Sequence, residues 1–124
     1  MRVADRMSPN PSSVKPDDIL AAANALMHAE GIRHITVIED GKLVGILSDR
    51  DLRNHWGYLD RTKANAAMTA DPVTVGPEVS IEQAARLLLS HKVGSLPVVE
   101  KGKVIGIITT TDLLRALVDV EHGT

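Results

Sequence analysis

The chain has no cysteine and no phenylalanine, and only one tryptophan and one tyrosine occur among its 124 residues. The absence of cysteine excludes disulfides, thiolate metal ligands and cysteine nucleophiles. Because Trp56 and Tyr58 stand close together in one segment, the core is predicted to be aliphatic, and a bound base must lie against Val, Ile or Leu. The same shortage removes the aromatic platform on which proteins stack single-stranded nucleic acid.

Clustered positive charge and long apolar runs are also missing. A formal net charge of −2 without a basic run argues against nucleic acid as the main partner, because phosphate backbones require clustered Lys and Arg. No apolar run approaches the ~18 residues of a membrane-spanning segment, so no membrane association is expected. The first five residues hold no apolar signal core, from which we expect a cytoplasmic protein.

Motifs for metal binding and for catalysis are absent from the sequence as well. The five histidines, at positions 28, 34, 55, 91 and 122, include no i, i+4 pair, so no metal site is predicted. There is no nucleophile elbow, Walker loop or Gly-x-Gly-x-x-Gly. We therefore expect a protein that is not an enzyme and requires no cofactor.

The sequence does contain an internal repeat with an offset of 61 positions. The two copies share residues with special backbone or side-chain requirements, namely Met7/Met68, Pro11/Pro72, Pro16/Pro77, Gly41/Gly102, Gly45/Gly106 and Asp51/Asp112. One copy of about 55 residues would bury too little surface to be stable alone. The copies are predicted to pack on each other, with two equivalent pockets or one shared cleft.

Each copy is predicted to fold as β-α-β-β-α. In the first copy a strand at Ser13-Val14 precedes an amphipathic helix of about 13 residues that starts near Asp17-Asp18 and closes at Gly31. Two β-rich runs flank Asp40-Gly41 and form a hairpin, which a helix over about 49–56 follows. The second copy repeats the hairpin around Lys101-Gly102, and its last helix runs over about 111–119.

The repeats set the predicted domain boundaries. We place the first repeat at 1–56, a polar linker at 57–67, the second repeat at 68–119 and a frayed tail at 120–124. The last helix of each repeat carries surplus apolar residues, which are Leu113, Leu114, Leu117 and Val118 in the second repeat and Leu52 and Trp56 in the first. This surface predicts a homodimer through the terminal helices of the repeats.

Each hairpin ends in the pattern Gly-apolar-apolar-hydroxyl-x-x-Asp, at 45–51 and again at 106–112. A strand that runs into a helix N-terminus exposes N–H groups to a phosphate. A hydroxyl there adds a donor, and a carboxylate one turn later can accept hydrogen bonds from two vicinal ribose hydroxyls. Ser48-x-x-Asp51 and Thr109-x-x-Asp112 are equally capping boxes with Asp in place of Glu, so the residues alone leave both interpretations open.

Besides these two motifs, the chain contains the segments Met7–Pro11 and Met68–Pro72 and the run 93–98. On these features it resembles a tandem pair of CBS domains (a Bateman module) over residues 5–119. It is similar to small stand-alone bacterial pairs and to the CBS half of acetoin-utilisation AcuB proteins. The resemblance implies an α/β (α+β) fold of two β-α-β-β-α repeats packed with pseudo-two-fold symmetry. It also implies a regulatory sensor for an adenine nucleotide (AMP, ADP or ATP) or a relative such as S-adenosylmethionine or NADH.

The resemblance implies ligand clefts built across the repeats. One cleft would combine Ser48, Arg50 and Asp51 with Thr74, Val75, Val93, Gly94 and Ser95, and the other would combine Thr109, Thr111 and Asp112 with Ser13, Val14, Ile32, Arg33 and His34. The Val and Ile members would flank adenine, with plain core packing as the alternative. Because Arg33-His34 stands where the second copy has Gly94-Ser95, the clefts are predicted to be unequal.

A ligand-independent interaction module that docks on a partner enzyme or transporter is the alternative function. The surplus apolar surface of the last helix favours it.

Overall fold

The computed structural model describes residues 1–122, which form two compact units of mixed α/β structure. The central unit comprises Pro11–Pro72, and the terminal unit joins Met1–Asn10 to the chain from Val73 onward. The predicted fold class, with two repeated β-α units, is confirmed.

Within the described residues the helices are α1 (Val3–Arg6), α2 (Leu20–Glu30), α3 (Asp49–Arg53), α4 (Ala64–Ala67), α5 (Ile81–His91) and α6 (Thr110–Glu121), and the strands are β1 (Ser8–Pro9), β2 (Ser13–Val14), β3 (His34–Glu39), β4 (Lys42–Ser48), β5 (Thr69–Ala70), β6 (Ser95–Glu100) and β7 (Lys103–Thr109). Both predicted hairpins are present, as β3–β4 and β6–β7. The first copy has the predicted order β2-α2-β3-β4-α3. In the second copy the first strand is reduced to a single bridge between Val75 and Val98. None of the helices over residues 1–122 is long and apolar enough to cross a bilayer.

The central unit is built on a sheet with the strand order β2-β3-β4-β5. Strand β2 lies parallel to β3, with Ser13 opposite Thr36. The hairpin turns at Asp40-Gly41, where φ is 51° and 79°, and two successive left-handed residues suit the tight turn that joins antiparallel strands. Helix α2 buries Leu20, Ala23 and Met27 against this sheet in an aliphatic core, which consists of Val14, Leu20, Ala23, Met27, Ile35, Val37, Leu47, Leu52 and Ala64.

The terminal unit has a sheet with the order β1-β7-β6. The N-terminal segment belongs to this unit because Ser8 lies opposite Ile107 in the sheet and the Val3 N–H donates to the Val79 carbonyl at 2.7 Å. Its core is also aliphatic and consists of Val3, Val75, Ala84, Leu88, Leu96, Val98 and Ile108.

Helix α2 begins later than predicted. Its N-cap is Ile19, and Asp17 and Asp18 both precede it. The Asp18 carboxylate accepts from the Lys15 N–H at 2.8 Å, so it closes a turn ahead of the helix and does not lie in the first helical turn. The predicted end is confirmed, since Gly31 is left-handed with φ of 65°.

The last helices of the copies also differ from their predicted bounds. Helix α3 ends at Arg53, and a turn follows that includes the left-handed Gly57 with φ of 96°. Helix α6 is longer than predicted and includes Val120 and Glu121, which were placed in a frayed tail. Residues 123–124 of that tail lie outside the described residues.

The segment predicted as a polar linker, 57–67, contains helix α4. Ala64 is fully buried, and its N–H donates to the Asp18 carbonyl at 2.7 Å. A four-residue helix has no room for a repeating apolar pattern, so this helix could not be predicted from the sequence. The boundaries of the sequence repeats stay a prediction; the compact units are divided at other positions, after Asn10 and after Pro72.

Two of the apolar residues that were predicted to lie on the exposed surface of the last helices contact the cores instead. Leu52 is 2% exposed in the core of the central unit, and Leu113 packs against the core of the terminal unit. Trp56 and three residues of α6 remain exposed, with exposed fractions of 64% for Trp56, 58% for Leu114, 56% for Leu117 and 54% for Val118.

Candidate functional site

A hydroxyl and a carboxylate cap the helix that follows each hairpin. Ser48 Oγ accepts from the Asp51 N–H at 3.3 Å, and Asp51 Oδ2 accepts from the Ser48 N–H at 2.8 Å and from Ser48 Oγ at 3.0 Å. Thr109 and Asp112 repeat the arrangement at 3.3, 2.8 and 3.0 Å. Both capping boxes are therefore formed, and the capping interpretation is correct.

Capping occupies only one oxygen of each carboxylate. Over residues 1–122, the hydrogen bonds that Asp51 and Asp112 side chains accept end on Oδ2. A carboxylate has about four lone-pair sites, so Oδ1 of each retains the capacity to accept from ligand hydroxyls. Both residues are half-buried, and the cap fixes the direction in which Oδ1 points.

The cap hydroxyls are less available than predicted. Ser48 Oγ donates its proton to Asp51, and Thr109 Oγ1 donates its proton to Asp112. Because a hydroxyl has one proton, neither can also donate to a phosphate while the cap is intact. The donor role predicted for these two hydroxyls therefore requires the cap to rearrange.

Each hairpin begins beside the β-to-α junction of the same unit, which is the point where the second strand of the hairpin runs into the capped helix. In the central unit, His34 is directly opposite Ser48, and the Arg33 carbonyl accepts from the Asp49 N–H at 2.9 Å. The terminal unit repeats this with Ser95 opposite Thr109. The antiparallel register is the cause, since it brings the first residue of one strand against the last residue of the next.

Within each unit, these contacts gather predicted site residues at one end of a sheet. In the central unit the set is Ser13, Val14, Ile32, Arg33, His34, Ser48, Arg50 and Asp51. In the terminal unit the set is Thr74, Val75, Val93, Gly94, Ser95, Thr109, Thr111 and Asp112.

This grouping within one unit was not predicted from the sequence. The predicted clefts instead combined each motif with strand residues of the other repeat. The signal was present, because counting outward from the Asp40-Gly41 turn already places position 34 near position 48. The predicted clefts that combine residues of both repeats stay a prediction.

Two of the valines assigned to adenine contacts are core residues. Val14 is 5% exposed and Val75 is 6% exposed, and each belongs to the aliphatic core of its unit. Core packing, the alternative offered for the apolar members, is what the structure shows for these two side chains. Val93 remains on the surface and Ile32 is half-buried, so their side chains retain accessible area.

Positive charge distinguishes the two junctions. Arg33 and Arg50 are exposed, and neither takes part in the ion pairs found among residues 1–122. The corresponding positions of the terminal unit hold Gly94 and Thr111, which are uncharged. The junction of the central unit is therefore the one that attracts an anion.

Two groups at the central junction have shifted pKa values. Burial lowers the pKa of His34 below its ordinary value of 6.5; the Asp49 and Asp51 carboxylates oppose this shift, and the charge of Arg33 adds to it. Burial by itself raises the pKa of Asp49, but the hydrogen bond and charge of Arg53 outweigh it, so the pKa of Asp49 lies below its ordinary value. His34 is thus held in its neutral form near neutral pH.

The shift on His34 predicts a pH dependence of stability. Because the folded-state pKa is below the unfolded value of 6.5, the unfolded chain binds the proton first, and the free energy of unfolding decreases as the pH falls from 6.5 through the folded-state pKa. Urea unfolding from about pH 8 to about pH 5 should show this decrease, and His34→Asn should reduce it. His28→Asn, an exposed change on α2, is the matched control. An unchanged slope in His34→Asn would contradict the assignment.

A groove of about 470 Å³ opens beside β2 and the Asp40-Gly41 turn. Its lining includes the carboxylates of Asp17, Asp18, Glu39 and Asp40 and a single cation, Lys15. This excess of negative charge disfavours a phosphorylated ligand. Over the described residues, no three His, Asp or Glu side chains converge in a way that could hold a metal ion.

Comparison with known proteins gives a family match over most of the chain. The model of the CBS domain family matches residues 3–57 and 64–119. The chain is 37% identical over 102 residues to inosine-5'-monophosphate dehydrogenase from Korarchaeum cryptofilum, and the match covers 82% of the chain and 21% of the dehydrogenase. The chain therefore spans about a fifth of the length of this relative.

Two solved structures match along nearly the whole chain. An acetoin utilization protein, AcuB, from Vibrio cholerae superposes with a TM-score of 0.88 and 31% identity, and the match covers 98% of this chain and 95% of that one. CBSX2 from Arabidopsis thaliana, in complex with AMP, superposes with a TM-score of 0.85 and 34% identity, and the match covers 97% and 98% of the two chains.

Proposed function

Since the chain belongs to the CBS domain family, we propose that it is a regulatory module that binds an adenine nucleotide and catalyses no reaction. The observation that carries this proposal is the oriented carboxylate at each β-to-α junction, where the cap occupies Oδ2 and leaves Oδ1 to a ligand. AMP is the first candidate because CBSX2, 34% identical to this chain, was solved as an AMP complex.

The ribose is assigned to Asp51 in the central unit and to Asp112 in the terminal unit. Two vicinal hydroxyls are donors that a fixed carboxylate oxygen can accept, and hydrogen bonds to a charged acceptor are the stronger kind. The assignment needs no rearrangement of the cap, because the accepting oxygen differs from the capping oxygen.

The phosphate is assigned to the central unit, where Arg33 and Arg50 are exposed and not committed to ion pairs among residues 1–122. Arginine offers several N–H donors to phosphate oxygens and stays charged at all relevant pH values. The terminal unit has no cation at the matching positions. It suits an adenosyl ligand without phosphate, so the two units are assigned unequal ligand preferences.

Regulation in this proposal follows from differential binding. A nucleotide shifts the protein between two arrangements, or changes its affinity for a partner, only if it binds one arrangement more tightly than the other.

The test is a thermal-shift and calorimetry series with AMP, ADP, ATP, adenosine, S-adenosylmethionine, NADH and 2'-deoxy-AMP. A ligand at about 100 times its Kd should add roughly 2.7 kcal/mol to the free energy of unfolding and raise the melting temperature. AMP should bind more tightly than 2'-deoxy-AMP, which lacks one of the paired hydroxyls, and more tightly than adenosine, which lacks the phosphate. The absence of a shift with every compound would contradict the proposal.

A ligand-independent interaction module is the second candidate function. The exposed residues Leu114, Leu117 and Val118 on α6 favour it, because monomeric proteins rarely leave adjacent aliphatic side chains on one helix face. Recovery of the same partner with and without nucleotide would favour this function over the sensor. The predicted homodimer is part of the same proposal, since a second copy can also cover such a face.

A further inference from the structure

The chain passes between its two compact units twice, after Asn10 and after Pro72. A two-residue strand precedes each passage, β1 in the terminal unit and β5 in the central unit. Both strands lie at an edge of their sheet, where β1 pairs with β7 and β5 pairs with β4. Because strands this short form few hydrogen bonds, side-chain packing contributes much of what holds them in place.

The packing is supplied by a methionine that directly precedes each edge strand. A Cβ built at Gly45 of β4 would overlap the sulfur of Met68, so Met68 Sδ lies directly against the Gly45 backbone. Met7 Sδ lies against Gly106 of β7 in the same way. Glycine permits this close approach because it has no side chain. Each methionine also packs against the core of its own unit, and therefore joins the edge strand to the sheet and to the core.

A left-handed residue follows each edge strand and completes the arrangement. Asp71 has φ of 48°, and its N–H donates to the Val44 carbonyl at 3.2 Å. Asn10 has φ of 49°, and its N–H donates to the Ile105 carbonyl at 3.1 Å. Since both hydrogen bonds attach the end of an edge strand to the neighbouring hairpin, these two amides report whether the strand is in place.

The methionines differ in their access to an oxidant. The chain has no cysteine, so its four methionines hold all of its sulfur. Met1 is 50% exposed, Met27 is 5% exposed, and Met7 and Met68 are half-buried. Because oxidation by a hydroperoxide follows exposure, Met7 and Met68 can react in the folded protein while Met27 is protected.

A sulfoxide does not suit the position that Met68 occupies. Oxidation turns the apolar thioether into a polar group whose oxygen requires a hydrogen-bond donor. The Met68 N–H already donates to the Ala64 carbonyl at 2.9 Å, and the Asp71 N–H is taken by Val44. The oxygen would therefore draw the side chain towards water, and the contact with Gly45 would be lost.

We propose that Met7 and Met68 are modification sites for hydroperoxides, and that their oxidation to sulfoxides releases β1 and β5 from the two sheets. The thioether sulfur attacks the O–O bond, so that an S–O bond forms, the O–O bond breaks and the sulfur loses two electrons. Hydrogen peroxide takes up these electrons and leaves as water. A methionine sulfoxide reductase reverses the change with two thiols, which become a disulfide while the oxygen leaves as water.

The first test treats the folded, ligand-free protein with hydrogen peroxide and follows each methionine by peptide mass spectrometry. Met7 and Met68 should be oxidised at least about 5-fold faster than Met27. Amide hydrogen exchange at Asp71 and at Asn10 should then accelerate by at least about 10-fold, because both edge strands are released. Methionine sulfoxide reductase with a dithiol should restore the original exchange rates.

The second test uses substitutions at the same positions. Met68→Gln introduces a polar side chain of similar length without peroxide, so it should accelerate exchange at Asp71 by about 10-fold and leave Asn10 unchanged; Met7→Gln should do the converse. The double variant Met7→Leu, Met68→Leu keeps an apolar contact that peroxide cannot oxidise, so its exchange rates should not respond to peroxide. Met1→Leu is the matched control and should respond as the wild type does.

Oxidation of Met7 and Met68 no faster than that of Met27 would overturn the proposal. So would unchanged exchange at Asp71 and Asn10 after both sulfurs have been oxidised, or a Leu double variant that responds to peroxide as strongly as the wild type. If the double variant does not fold, the oxidised wild type and its reductase-treated form give the answer. All of these measurements use the ligand-free protein, so a negative result would leave the proposed ligand site unaffected.

Discussion

Asp51→Ala is expected to weaken AMP binding to the central unit by about 100-fold, or ~3 kcal/mol, because two ribose hydroxyls lose a charged acceptor. Isothermal titration calorimetry measures this loss directly. Asp112→Ala should weaken the binding of adenosine to the terminal unit in the same way, and the double variant should bind neither AMP nor adenosine.

The capping role of Asp51 requires a matched control. Removing this carboxylate also removes one half of the cap of α3, at a cost of about 1 kcal/mol in the free energy of unfolding. Gln83→Ala removes the corresponding half of the Ser80–Gln83 capping box of α5, the hydrogen bond in which Gln83 Oε1 accepts from the Ser80 N–H at 3.4 Å. It should destabilise the protein by a similar amount and leave AMP affinity unchanged.

The comparison separates stability from binding. If Gln83→Ala and Asp51→Ala reduce AMP affinity equally, the loss of affinity is caused by the loss of a helix cap and not by the loss of a contact with the ribose. If the folded double variant of Asp51 and Asp112 binds AMP as the wild type does, the ribose assignment is wrong.

Gly45→Ala is expected to lower the free energy of unfolding by about 2–3 kcal/mol, since an added methyl group has no room in this packed sheet. A Cβ at position 45 would collide with Met68 Sδ, and it would lie 2.8 Å from Met68 Cγ and 3.0 Å from the Thr69 carbonyl oxygen. The repeat reproduces the contact, because a Cβ at Gly106 would meet Met7 and the Ser8 carbonyl oxygen in the same way. Chemical denaturation of each alanine variant measures the loss.

Gly76→Ala is the matched control for this prediction. A Cβ there would lie 2.8 Å from Oε1 of Glu78, the end of a flexible and exposed side chain, so the expected change is within about 0.5 kcal/mol. Combining Gly45→Ala with Met68→Ala should recover only part of the loss, because the Thr69 carbonyl remains. A Gly45→Ala protein as stable as the wild type would refute this account of the repeated Met and Gly.

The family and its local structure could be predicted from the sequence. The resemblance to CBS pairs and to AcuB is confirmed by the family match and by the structural similarity. Both hairpins could be predicted from two β-rich runs around Asp40-Gly41 and Lys101-Gly102. These signals are short-range, because a turn and its two strands occupy fewer than about 20 consecutive residues.

The sequence could predict the capping motifs but could not choose between their two uses. Ser48 and Asp51 have the spacing of a cap and of a ribose site at once. Only the tertiary structure shows that the cap takes Oδ2 of the carboxylate and the single proton of the hydroxyl. What is left for a ligand is therefore one oxygen of Asp51, which no sequence pattern specifies.

By itself, the sequence determined the duplication, the aliphatic core and the two hairpins. The hairpins could be predicted because each depends on neighbours a few positions apart. The tertiary structure decided that Met1–Asn10 belongs with the second copy, where Val3 bonds to Val79 and Ser8 pairs with Ile107. It also decided that Leu52 is core and Leu114 is surface. Such contacts join residues far apart in the chain, and they follow from how whole elements fit together rather than from any local periodicity.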